Sequence, residues 1–173
     1  MKILVIGASG RVGSDLVKHL LADNHQVIGT TRQDEKLFSD NNYSQLDLDI
    51  TAEKDAIQQQ IKSDIDAVYF VAGSGGKDVL EVDLHGAVKT MQAVQDKGIK
   101  RYIMLSTVFS LDTSKWNQPG IADLKEYYIS KHYADQWLVK NSSLDYTIVQ
   151  AGALKERAGT GKIIINDDNA GEN

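Results

Sequence analysis

Met1-Lys2-Ile3-Leu4-Val5-Ile6-Gly7-Ala8-Ser9-Gly10-Arg11-Val12-Gly13 opens the chain, and the reading of this stretch decides the fold. Lys2 to Ile6 is an apolar run rich in branched residues that stops at a glycine, the pattern of a buried parallel strand. From Arg11 to about Asp23 the pattern changes, with Val12, Leu16, Val17, Leu20 and Leu21 recurring at helical spacing. A plain strand-to-helix turn rarely needs three glycines at the spacing of Gly7, Gly10 and Gly13. Gly7 suits a tight turn, Gly10 lets backbone approach a pyrophosphate, and Gly13 lets the helix lie close to the sheet. The helix start contributes free N–H groups and partial positive charge. The stretch therefore predicts a dinucleotide-binding turn.

Apolar runs and helical patterns go on alternating, as expected for parallel strands with crossover helices. Strands are expected at Gln26–Thr31, Ser44–Leu48, Ala67–Ala72, Arg101–Leu105 and Asp145–Gln150. Helices are expected from about Ala52 to Lys62 with Thr51 as N-cap, Val79 to Lys97 stopped by Gly98, and Asp123 to Asn141. After Gly152 the pattern weakens; Lys162–Ile165 suggests one more strand, and Asn166–Asn173 reads as a polar, mobile tail. The expected architecture is an α/β, Rossmann-type doubly wound parallel sheet of strand order 3-2-1-4-5-6. Residues 1–154 form the nucleotide-binding domain and 155–173 a short C-terminal extension.

A chain of 173 residues can bury a core without staples, and it contains no cysteine. Disulfides, thiolate catalysis and cysteine-based metal sites are thereby excluded. The net charge of −5 argues against nucleic acid as the main partner. The first apolar run is too short for a membrane span and lacks a cleavage site, so the expected location is the cytoplasm, with no membrane association. The expected partner is a small-molecule substrate, and the chain is expected to be a monomer or homodimer. His19, His25, His85 and His132 show no metal-ligand spacing, so no metal site is expected.

The end of the second strand bears on the choice of cofactor. Gly29-Thr30-Thr31-Arg32 places an arginine where a 2′-phosphate would sit, which favours NADP, and Arg11 in the glycine turn adds a second positive group. Asp34 lies near the distance expected for a ribose-binding carboxylate, which keeps NAD open. Catalytic candidates come from Tyr127-Tyr128-Ile129-Ser130-Lys131, where helical i,i+4 spacing puts Tyr127 and Lys131 on one face. A cation there is expected to lower the phenol's pKa and make Tyr127 an acid/base for carbonyl reduction. Tyr128 pairs with His132 at the same spacing, so the register stays open. Ser106 or Thr107, following strand five at the ligand-binding edge, is the candidate to hydrogen-bond a substrate carbonyl. Asp47 and Asp49 read as capping or cofactor-contact residues, and Trp116 and Trp137 as packing residues.

Together, GASGRVG, VAGSGGKD, VDLHGAVKTMQAV, GIKRYIMLST, YYISKHYADQWL and SSLDYTIVQAG resemble the atypical short-chain dehydrogenase/reductase superfamily. Within it the chain resembles the small NAD(P)-binding proteins similar to flavin reductase/biliverdin reductase B, over about Met1 to Leu154. The resemblance implies cofactor roles for Gly7, Ser9, Gly10, Arg11, Val12 and Arg32, with Asp47 and Leu48 flanking the adenine. It implies that Ala72, Gly73 and Ser74 line the cofactor, that Lys131 reaches the nicotinamide ribose, and that Ser106 or Thr107 acts with Tyr127 in reduction. Gln150-Ala151-Gly152 stands where such proteins usually carry Pro-Gly, and relatives usually continue with a further helix and strand beyond this point. Two readings follow. One is an NADP(H)-dependent reductase of a small carbonyl, quinone or flavin; the other is a regulatory protein that binds NAD(P) without turnover.

Overall fold

The computed structural model describes residues 1–156, 159 and 161, so the strand expected at Lys162–Ile165 and the tail to Asn173 lie outside the described residues. Six strands form one sheet in the order β3-β2-β1-β4-β5-β6, every pairing parallel. They are β1 (Lys2–Ile6), β2 (Gln26–Thr30), β3 (Tyr43–Leu46), β4 (Ala67–Phe70), β5 (Arg101–Thr107) and β6 (Asp145–Ala151). The helices α1 (Arg11–Ala22), α2 (Lys54–Gln60), α3 (Ala87–Asp96) and α4 (Lys125–Asn141) connect them. The expected strand order is thus the observed one.

Strand alternation sorts the core into two layers. From β1, Leu4 and Ile6 join Val68, Phe70, Tyr102 and Met104 in the layer under α2, α3 and α4, where Ile57, Met91 and Leu138 meet them. Ile3 and Val5 point the other way, to Val17 and Leu20 of α1 and to Val27 and Tyr43. β1 is buried on both faces because it lies in the middle of the sheet, which is why its sequence shows no polar alternation.

Most boundaries fall within two residues of expectation, β5 running on through Ser106 and Thr107, and three differences bear on the site. β3 ends at Leu46, leaving Asp47 and Leu48 beyond the strand. Thr51 does not cap α2; its backbone N–H and hydroxyl both donate to Asp49 Oδ1, at 2.9 and 2.7 Å, and the helix starts at Lys54. This side-chain turn uses the local donors before a helix can. The helix expected over Val79–Lys97 is a π-helical segment, Val79–Gly86, running into α3. Gly98, at φ +77°, terminates α3 as its position suggests. No helix of the described residues is long and apolar enough to cross a membrane.

The loop after β2 is held by two side chains, Thr31, whose Oγ1 accepts from Gln33 N at 3.1 Å, and above all Gln45. Gln45 of β3 donates from Nε2 to Gln33 O at 2.8 Å and to Glu35 O at 3.1 Å, and its Oε1 accepts from Leu37 N at 3.0 Å.

Candidate functional site

The strands deliver their carboxyl ends to a cleft of about 1570 Å³. At its centre lies the glycine turn. Gly7 adopts φ +94°, and a Cβ there would stand 2.7 Å from the Ala72 backbone of the neighbouring connection. A Cβ on Gly13 would stand 2.1 Å from Gly7 O, so α1 packs on the turn only because both positions are glycine. Gly7 N–H donates to Thr30 Oγ1 and Gly10 N–H to Gly7 O, each at 3.1 Å, which fixes the turn's shape. Gly10 precedes α1 as its N-cap position and offers no side-chain cap, and the helix has no acidic residue in its first turn. Its leading N–H groups are thus open to an anion in the cleft, as a pyrophosphate requires.

Ser9, Gly10, Arg11, Val12 and Arg32 line this part of the cleft, as do Leu48, Ala72, Gly73 and Ser74. Asp47 is exposed and lies off the cleft wall, whereas Asp49 lines it. Hydrogen bonds from Thr51 hold the Asp49 carboxyl below the usual carboxylate range, and the positive charges of Arg32 and Lys89 act in the same direction. Arg32 is exposed and lines the cleft. Arg11 Nη1 reaches Glu156 Oε1 at 3.0 Å, an exposed ion pair that ties the segment after β6 to the glycine turn.

At the other end of the cleft, α4 presents Tyr127, Tyr128 and Lys131 to the end of β5. Lys131 is almost fully buried and donates from Nζ to Leu105 O at 2.9 Å. Tyr128 is buried, packed edge-on against Trp116, and its hydroxyl accepts from Thr107 Oγ1 at 3.3 Å. Tyr127 is the half-buried tyrosine of the pair. Its phenol is pushed up to about 12, first by burial and then by the negative charge of Asp83, with Tyr128 and Asp135 adding to the rise and the Thr107 hydroxyl opposing it. The expected lowering by Lys131 does not occur, because that ammonium is turned to the strand carbonyl rather than to the phenol.

The two hydroxyls at the end of β5 are in different situations. Ser106 donates its hydrogen to Asp135 Oδ2 at 2.5 Å and so has none left for a ligand. Ser110 donates to the same oxygen at 2.5 Å, and Gln150 Nε2 donates to Ser110 Oγ at 2.6 Å. The glutamine that departs from the usual Pro-Gly pattern is therefore part of a connected polar network. Thr107 makes the longer bond to Tyr128 and lines the cleft.

Sequence reasoning missed Asp83 and Asp135. Asp83, on the π-helical segment, accepts from Ser74 N at 3.0 Å and from Ser74 Oγ at 2.6 Å, holding the connection after β4 against the cleft. A carboxylate set between Val82 and Leu84 in an apolar helix was the available signal for it. For Asp135 the signal was position, one helical turn beyond Lys131 and two beyond Tyr127. No group of acids and histidines suited to a metal occurs among the described residues.

Known proteins are similar to this chain in sequence and fold. The oxidoreductase ylbE from Lactococcus lactis superposes with a TM-score of 0.89 at 45% sequence identity, covering 93% of this chain and 73% of that one. The UPF0659 protein YMR090W of Saccharomyces cerevisiae is 38% identical over 169 residues, 93% of this chain and 73% of the relative. The uncharacterized sugar epimerase YhfK of Bacillus subtilis is 36% identical over 171 residues, 94% of this chain and 77% of the relative. Residues 7–173 match the family described as NAD(P)H-binding. With an uncapped helix start behind a glycine turn at the centre of a 3-2-1-4-5-6 sheet, the chain belongs to this NAD(P)H-binding family of atypical short-chain dehydrogenase/reductase-like proteins.

Proposed function

We propose that the protein is an NADP(H)-dependent oxidoreductase acting on a small carbonyl, quinone or flavin substrate. The observation that carries this reading is the placement of Tyr127 and Lys131, one helical turn apart on α4, beside the Thr107 hydroxyl at the end of β5. When bound, the nicotinamide supplies or accepts the hydride. The chain's own residues do the rest. The raised pKa keeps the Tyr127 phenol protonated through the neutral range, ready to give a proton to a developing alkoxide or its equivalent. Thr107 orients the acceptor oxygen. Lys131 has three N–H donors and uses one on Leu105 O, leaving two for ribose hydroxyls. Apolar Phe109, Pro119, Ile121, Leu124 and Leu154 are among the residues that line the cleft, and we assign them to the substrate. That lining suits a flat apolar acceptor better than a nucleotide sugar, whose diphosphate needs several cations. The test is NADPH consumption by purified protein with a panel of carbonyls, quinones and flavins; no turnover with any of them would overturn the reading.

Arg32 supports NADP over NAD by charge and position at the rim. Arg32→Glu is expected to weaken NADPH binding roughly 10- to 100-fold, the range of a lost charge-assisted hydrogen bond, with little loss for NADH. Fluorescence titration of both cofactors checks this, and equal losses for the two would refute the assignment. Glu156 holds Arg11 with a carboxylate where a cofactor phosphate would compete for it. Because that pair is exposed, Glu156→Gln should tighten NADPH binding only about two- to fivefold. The same titration reads the effect.

One observation favours a second reading, a protein that binds the cofactor without turnover: no cation lowers the Tyr127 phenol. Under it, Tyr127→Phe leaves function untouched.

A further inference from the structure

Lys131 has only 2% of its surface exposed, and its one hydrogen bond, at 2.9 Å, goes to the neutral carbonyl of Leu105. An ammonium in such a place tends to shed its proton unless negative charge is nearby. Two carboxylates are buried alongside it. Asp135, one turn further along α4, is fully buried; its Oδ2 takes hydrogen bonds from Ser106 and Ser110, while Oδ1 has no hydrogen-bond partner. Asp83, 2% exposed, comes from the π-helical segment that packs across α4. Neither forms an ion pair with Lys131 within 4.0 Å. In a dry interior, charges act over longer distances than in water, so direct contact is not required.

We infer that Asp83 and Asp135 are positioning residues that keep Lys131 an ammonium inside the fold, so that the cleft presents a charged donor at the nicotinamide end. Burial draws the lysine's pKa down, and Asp135 and then Asp83 push it back up. Burial likewise pushes the Asp135 carboxyl up, against the hydrogen bonds of Ser106 and Ser110 and the charges of Lys131 and His132. The other ionisable groups on this part of α4 are Tyr127, Tyr128, His132 and the exposed Tyr133. β5 contributes the Leu105 carbonyl and the Ser106 and Thr107 hydroxyls but no ionisable side chain at its carboxyl end. The two aspartates are thus the negative groups arranged about the lysine, supplied by two separate elements. One of them also holds Ser74 of the cofactor-lining connection and the other Ser106 at the end of β5, so charge and shape at this end of the cleft are set by the same two side chains.

The sign of the pH effect follows. Removing either carboxylate lets Lys131 lose its proton at a lower pH, so the alkaline limb of NADPH affinity moves down the pH scale. A carboxylate with a merely structural role would weaken binding by the same factor at every pH. The donor role toward the ribose rests on the function proposed above; the charge coupling does not, and the two are tested separately. In protein labelled with ¹³C at lysine Cε and aspartate Cγ, Lys131 is identified by loss of its signal in Lys131→Arg. Lys131 is expected to titrate below the surface lysines, and the Asp83 and Asp135 Cγ shifts to bend at that same pH. Flat aspartate traces through the lysine's titration, read in the unsubstituted protein, overturn the proposal. Asp83→Asn and Asp135→Asn are each expected to move the Lys131 titration to lower pH, and an unmoved titration in a folded variant also overturns it. NADPH titration across pH then tests the cofactor role. If the coupling is present but the affinity limb does not follow it, the ribose assignment of Lys131 fails and the charge pairing stands.

Discussion

Tyr127→Phe is expected to lower turnover about 10²- to 10⁴-fold, the usual contribution of a positioned proton donor, while NADPH affinity stays near its original value. The split follows from the proposed roles, in which Tyr127 serves the substrate while the glycine turn, Arg32 and Lys131, which line the same cleft, serve the cofactor. Steady-state rates with the best acceptor, set beside a binding titration, separate the two effects. Tyr128→Phe serves as the register control. Its hydroxyl is buried and bonded at 3.3 Å to Thr107, so its loss should cost about 0.5–1.5 kcal/mol of stability rather than the proton donor. Because the acid form of Tyr127 is the working form and its pKa is pushed up to about 12, its ionisation limits reduction only in strongly alkaline solution. If Tyr127→Phe retains full turnover, the acid is another group, and if no function changes at all the cofactor-sensing reading takes over.

Gly13→Ala is the second large effect, and here two physical terms oppose each other. Alanine is better than glycine inside a helix by about 1 kcal/mol, so propensity alone predicts a more stable protein. The new Cβ, however, would stand 2.1 Å from Gly7 O and 2.8 Å from Gly7 C, both backbone atoms that no rotamer change can move. Relief requires α1 to lift from the turn, and overpacking of this kind costs up to about 3 kcal/mol or more. The expected net loss of about 2 kcal/mol lowers the melting temperature by roughly 4–8 °C for a chain of this size. NADPH binding should fall with it, because the N–H groups at the start of α1 move with the helix. A variant that melts at or above the parent temperature would show that the helix start yields more easily than its packing implies.

The sheet order was legible because β1 and β4 are short apolar runs, helical patterns follow β1, β3, β4 and β5, and the glycine turn tied the first strand to the first helix. What periodicity could not convey was the kind of helix. Val79–Gly86 has apolar spacing that serves an α-helix or a π-helix equally, so the buried position of Asp83 became apparent only in three dimensions. Thr51 carried a correct capping chemistry but used it on Asp49, a choice between two local hydrogen bonds that sequence does not resolve. Tyr127 and Lys131 were found by spacing, yet their electrical relation was misjudged. Spacing puts two side chains on one face; it does not say that the ammonium turns to Leu105 O and that burial, followed by the charge of Asp83, raises the phenol. Likewise the hydroxyl pair after β5 looked equivalent until Asp135 took the hydrogen of Ser106.

The three hydrogen bonds of Gln45 bear on more than the shape of a surface loop. They hold Gln33, Glu35 and Leu37 in place, and with them the stretch that begins at Arg32 and includes Asp34. The ordering entropy of that stretch is lost when the chain folds, not when a ligand arrives. Under the NADP assignment proposed above, discrimination between two cofactors that differ by one phosphate is set before encounter, on a preformed template rather than a loop that closes around whichever dinucleotide binds first. On such a template, selectivity resides in how long each cofactor stays, not in how fast it arrives.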